Sequence, residues 1–104
     1  MPKGNDSVRF EWDENKAKRN QQKHRVSFEE AATVFDDVFA RITFDDAHSI
    51  DEDREIIIGH SILDHLVLVS FTERHDQEVR IIRIISARLA SRKDRQKYEE
   101  NKEF

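Results

Sequence analysis

The sequence predicts a small α+β domain: two N-terminal helices, a four-stranded antiparallel sheet and a C-terminal helix. Three observations carry that prediction. Phe28, Ala31, Ala32 and Phe35 form an apolar stripe at helical spacing early in the chain. From residue 38 onward the apolar period becomes alternating. The strand-like runs that follow are joined by short polar links, which favour an antiparallel meander. At 104 residues the chain has room for a single domain, residues 1–104, around one core.

Each element has a local cause. VRFEWD (8–13) reads as an edge strand or an extended lead-in. Asp13 is a good N-cap for a helix through about His24, with Glu14 in its first turn. Ala17 is nearly the only apolar member of that helix, so Trp12 is expected to anchor its start. Ser27 and Glu30 form a capping-box pattern that opens the second helix, and Asp36-Asp37 ends it. Four strands follow: VFARITF (38–44), REIIIGHSI (54–62), HLVLVSFTER (65–74) and residues 79–87. AHSIDED (47–53), Leu63-Asp64 and HDQE (75–78) are the links. Ser91 caps a last helix from 92 to about 102, and all helices are expected on one face of the sheet.

Composition excludes several functions. There is no cysteine, so disulfides, Cys-based zinc sites and thiol catalysis are out. No apolar stretch approaches the roughly 20 residues of a membrane span. The start, MPKGNDS, lacks a signal-peptide core, so a soluble, cytoplasmic protein is expected. The net charge is −4, but the charges are segregated. Residues 16–25 hold five Lys/Arg and no acid, residues 36–55 hold eight Asp/Glu against Arg41 and Arg54, and residues 80–97 hold seven Lys/Arg against Asp94. Two basic segments that meet in the fold would attract an anion to an acidic protein.

Strand parity refines this. Val67, Val69 and Phe71 share one face, the core; Ser70, Thr72 and Arg74 share the other with Leu66 and Leu68. On the next strand Ile82, Ile84, Ser86 and Arg88 fall on one face, and Arg83 on the other with Ile81 and Ile85. Thr72, Arg74 and Arg88 are therefore expected around a shared cleft, beside a helical stripe of Lys16, Asn20 and Lys23. Such donors, with no structural carboxylate between them, suit a phosphodiester. The plainer readings stand beside it. A charge run is more often a solvated face, and Arg83 suits an ion pair with one of the middle acids just as well. The five histidines show no metal-ligand spacing, and His24 and His48 are the candidates for proton transfer. The acidic loop 45–53 lacks the glycine and alternation of a calcium loop, so no metal is expected.

A family resemblance goes further. FEWD (10–13), KH (23–24), VSFEEA (26–31), HS (48–49), TER (72–74) and RIISAR (83–88) together resemble the BrnT toxins. These are the toxin half of the BrnT–BrnA type II toxin–antitoxin pair, with a RelE/ParE-like fold. The likeness runs from about Phe10 to Glu99, and departs at Arg25, where the family commonly has glycine. It implies a metal-independent endoribonuclease without cofactor, in which the ribose 2′-hydroxyl attacks the adjacent phosphorus to leave a 2′,3′-cyclic phosphate. Arg74 and Arg88 would stabilise the phosphate and Thr72 orient them or bond a phosphate oxygen. Lys23 would be a further cation, and His24 the general base or acid. Tyr98 would be a further candidate for proton transfer, Lys16, Asn20, Arg83 and Arg92 would hold RNA, and Trp12 would stack a base. The implied partner is a BrnA-like ribbon-helix-helix antitoxin in a heterotetramer, with operator DNA reached only through it and no membrane. The fold alone leaves two alternatives open: a ParE-like gyrase poison, or a non-catalytic antitoxin-binding module.

Overall fold

The computed structural model describes residues 7–44 and 53–100. In chain order they form β1 (Val8–Glu11), α1 (Glu14–His24), α2 (Phe28–Thr33) with a 3₁₀ turn over Val34–Asp36, β2 (Arg41–Phe44), β3 (Glu55–His60), β4 (Leu66–Asp76), β5 (Val79–Leu89) and α3 (Arg92–Glu99). His48 and most of the acidic loop lie outside the described residues.

The helix signals act as their chemistry requires. The Asp13 carboxylate accepts from the amides of Asn15 and Lys16 and starts α1. Ser27 accepts from the Glu30 amide and starts α2. Glu30 completes only half of the expected capping box. Its carboxylate instead accepts from the Ser61 hydroxyl at 2.6 Å and meets His65 Nδ1 at 2.8 Å, tying α2 to the β3–β4 link. Ser91 and Asp94 form the full reciprocal box at the start of α3.

The expected four-stranded antiparallel sheet is corrected to a five-stranded mixed sheet, ordered β1-β5-β4-β3-β2. The lead-in is a true strand: Val8, Arg9, Phe10 and Glu11 pair in parallel with Arg80, Ile81, Ile82 and Arg83. Four residues carrying two charges give little periodic signal, and the pairing partner lies far along the chain. The two helices thus follow a strand rather than begin the fold. The expected strand 38–44 starts only at Arg41, because Asp37 accepts from the Phe39 and Ala40 amides and turns the chain there. Gly59 allows β3 to pass that turn; a Cβ on it would stand 2.8 Å from Ala40 Cβ. The β4–β5 link shrinks from four residues to Gln77-Glu78, both at positive φ, as a two-residue hairpin turn demands.

The helices do not all lie on one face. Phe28, Ala31 and Val34 pack with Val67, Val69, Phe71, Ile82, Ile84 and Ala87 into the main core, with Trp12 edge-on to Phe28. On the opposite face, Tyr98 of α3 and Ala90 pack over Ile58, Leu66 and Leu68 in a smaller cluster. Among the described residues, α3 packs over one end of that face, and polar side chains gather beyond it.

A β-bulge changes the parity of β5. Ser70 pairs with Ser86, but the next residue, Phe71, pairs with Ile84, so Ile85 is the extra residue. Ile82 and Ile84 therefore share the core with Ala87, while Ser86 and Arg88 move to the face that bears Arg83. The expected separation of Arg83 from Ser86 and Arg88 is overturned by this one residue.

Candidate functional site

The uncovered face of the sheet is a grid of side chains fixed by register. One row runs Ile56, Ser70, Ser86 across β3, β4 and β5; the next runs Ile58, Leu68, Arg88. Above this grid opens a cavity of about 330 Å³. Ile56 and Leu68 supply its apolar floor, Ser70 and Ser86 its hydroxyls, and Arg54 and Arg88 its cations. His24, the last residue of α1, and Ala87 of β5 complete its lining.

Asn20 explains why α1 ends there. Its side-chain amide donates to Ala87 O at 2.8 Å and to Val26 O at 3.0 Å, while its oxygen accepts from the Ala87 amide at 3.1 Å. The side chain thus imitates a strand neighbour for β5 beyond the point where β1 stops. Asn20 is buried and committed to these bonds, and it ties α1 to β5 at Ala87, one residue before Arg88, while His24 lines the same cavity.

The sequence-derived site residues separate into two groups. His24 and Arg88 meet at the cavity. Arg74 does not join them. Arg88 faces Leu68, six residues before Arg74 on β4 and so about 20 Å away at 3.3 Å per residue. Thr72 stands opposite Arg83, and Glu11 lies beside Arg83 on the other side. Lys16, Lys23 and Arg92 are exposed on their helices and do not line the cavity.

Carboxylates do stand among these cations, contrary to expectation. Glu11 accepts from Arg74 at 2.9 Å and from Arg83 at 3.2 Å. The partner of Arg83 is thus a β1 acid, not one from the middle of the chain. The Arg74 hydrogen bond holds the Glu11 carboxyl below its usual range and raises Arg74 in turn. Asp94 accepts from Arg88 at 2.8 Å. Burial pushes the Asp94 carboxyl up, but bonds from the Ser91 amide, Arg88 and the Ser91 hydroxyl outweigh it and leave it lowered. Arg88 is thereby aimed by α3 while remaining half exposed.

Tyr98 serves packing. Its ring meets His60 edge-on, Arg41 lies 5.2 Å from its centroid, and its hydroxyl donates to Phe39 O. Among the described residues, no three His, Asp or Glu side chains converge as a metal-binding group. Parity missed Arg54, Ser70 and Ser86 as site residues. The change from leucine to serine along β4 pointed to Ser70, but the position of Ser86 needed the bulge.

Comparison with known proteins identifies the family. The family described as the ribonuclease toxin BrnT of type II toxin–antitoxin systems matches residues 12–94. The chain belongs to the BrnT family. Within the BrnT fold, a crystal structure of the Brucella abortus ribonuclease toxin BrnT superposes with a TM-score of 0.59 at 23% identity, covering 83% of this chain and 99% of that one. No curated protein matches the chain. Membership makes this chain a ribonuclease toxin of a type II system, a class that works opposite an antitoxin. No described helix is long and apolar enough to cross a membrane.

Proposed function

We propose that this BrnT-family toxin cuts RNA in the cavity over β3, β4 and β5, with Arg88 and His24 at the reacting phosphate. The observation that carries this reading is their convergence on one cavity from separate elements, β5 and α1. The ribose 2′-hydroxyl attacks the adjacent phosphorus, the bond to the next nucleotide's 5′-oxygen breaks, and a 2′,3′-cyclic phosphate remains. Charge grows on the phosphoryl oxygens in the transition state, and a guanidinium already aimed there stabilises it. An imidazole can both accept and donate a proton, so His24 can take the 2′-hydroxyl proton or return one to the leaving oxygen. The chemistry proceeds without a metal or cofactor. Lys23, next to His24, adds positive potential.

An RNA strand laid along β4 away from the cavity meets Thr72, Arg83 and Arg74 in turn, which suits these to the backbone beyond the cut. Arg92 and Lys16 lie on the flanking helices. The antitoxin is of the BrnA-like ribbon-helix-helix kind, its dimer carrying two toxins and the operator contact, in the cytoplasm. A stable 1:1 complex by light scattering would count against that assembly.

The test is cleavage of a defined RNA by antitoxin-free protein in EDTA, with both product ends mapped. Arg88→Ala should lower the rate on the order of 10²–10³-fold while keeping its fold by circular dichroism. Full activity in folded Arg88→Ala would sink the assignment. Intact RNA with trapped gyrase–DNA complexes would replace it.

A further inference from the structure

Beside the cavity lies one atom that the fold does not account for. Among the described residues, the Ser70 hydroxyl oxygen is buried without a hydrogen-bond partner. A buried hydroxyl is normally paired, because stripping its water without replacement is unfavourable. Serine is also a weak choice for the middle of a central strand, where valine or isoleucine packs better. Ser70 lies at the centre of the sheet, between Ile56 and Ser86 in register and two residues from Leu68.

The surroundings define what would satisfy it. Ile56 and Leu68 are apolar neighbours, unsuited to a bare phosphate but suited to the flat face of a nucleobase. The cations border them: Arg88 stands opposite Leu68 on β5, one row from Ser86, and Arg54 comes just before β3. About 330 Å³ lies at the lower end of ligand-pocket sizes, room for one nucleotide. Single-stranded RNA is read in this way, by base edges bonded inside pockets.

We propose that Ser70 is a specificity-determining residue: its hydroxyl bonds the polar edge of a ribonucleotide base lying on Ile56 and Leu68, while the phosphate rests toward Arg88. This rests on the reading of the cavity as the RNA site and adds which part of the nucleotide each wall holds. A hydroxyl that meets only certain base edges favours some bases over others. It does so through binding rather than through the chemical step.

The experiment measures binding of four fluorescent hexaribonucleotides, all-A, all-C, all-G and all-U, to antitoxin-free wild type, Ser70→Ala, Ser70→Thr and Arg88→Ala. Cleavage of a mixed-sequence RNA and melting temperatures are followed in parallel. Wild type should favour one or two bases on the order of 5–10-fold, the size of a single hydrogen bond in a pocket. Ser70→Ala should level that preference to about twofold and spread the cut sites, with no loss of melting temperature, since no bond in the fold is removed. Ser70→Thr keeps the hydroxyl and should keep the preference, whereas Arg88→Ala should weaken all four alike. An unselective wild type, a preference unchanged in Ser70→Ala, or a Ser70→Ala that melts several degrees lower would each overturn the proposal. Base-selective binding without any cleavage would instead sink the cutting reading and leave this one standing.

Discussion

Arg25 follows α1 at φ 61°, in the left-handed region, with its amide bonded to Gln21 O. A side chain there is disfavoured by about 1–2 kcal/mol, which is why glycine so often ends helices this way. Arg25→Gly should therefore raise stability by about 0.5–1 kcal/mol, readable as a higher urea midpoint, because added freedom in the unfolded chain offsets part of the relief. A lower midpoint would mean that the Arg25 side chain makes a contact worth more than the strain. Asp94 gives a pH-dependent counterpart. Its carboxyl is lowered from 3.8, so it binds protons less readily folded than unfolded. The stability this contributes is present above about pH 4 and lost as pH falls below it. Between pH 5 and 3 the wild-type melting temperature should fall more steeply than that of Asp94→Asn. Parallel curves would show that the α3 box and the Arg88 pair contribute nothing.

At the scale of elements, the site depends on two joints. One is the Asn20 clip between α1 and β5. Asn20→Ala would leave the Ala87 amide and two carbonyls without their partner, a loss on the order of 2–4 kcal/mol. Denaturant melts should show that loss. Any folded fraction should cleave RNA slowly, because α1 would no longer be tied to β5 and His24 would no longer be fixed at the cavity that Arg88 lines. The other joint is the bulge at Ile85, and it marks the limit of what the residues alone disclosed. Asp13, Ser27 and Ser91 announced their helices through side-chain chemistry that acts within a few residues. Val67, Val69 and Phe71 announced the core face through an unbroken period of two. A bulge leaves no such trace, since RIIRIISAR reads the same with or without an extra residue. Arg88 and His24 were recognisable as types in a family pattern, yet their meeting depends on Asn20, which reads as one more polar residue on a polar helix. Arg74 was drawn toward Arg88 by the same reasoning and stands at the other end of the sheet, tied to Glu11.

On the scale of the whole molecule, the protein has a net charge of −4 and yet is read as gripping RNA. Local placement resolves this, because the cations of the uncovered face sit on β4, β5 and the start of β3. Few of them can reach phosphates at once, and each contact with single-stranded RNA adds about −0.7 to the slope of log affinity against log salt. Two or three contacts predict a slope of about −1.4 to −2. A slope steeper than about −4 would point to a far more extended basic surface than this face provides.

The parallel pairing of β1 with β5 joins positions 8–11 to positions 80–83, closing about 70 residues of chain. The β4–β5 hairpin, by contrast, closes over two residues. Loop-closure entropy makes the hairpin early to form and the β1 contact late, so β1 should also be the first strand to open in the native state. Amide exchange at Phe10 and Glu11 should outpace that at Val69 and Ile84. Each such opening carries Glu11 away from Arg74 and Arg83 together. If β1 opens first, it would work as a hinged clasp: shut, it pairs these two arginines with Glu11, and open, it would leave their charge to an RNA strand on the proposed path.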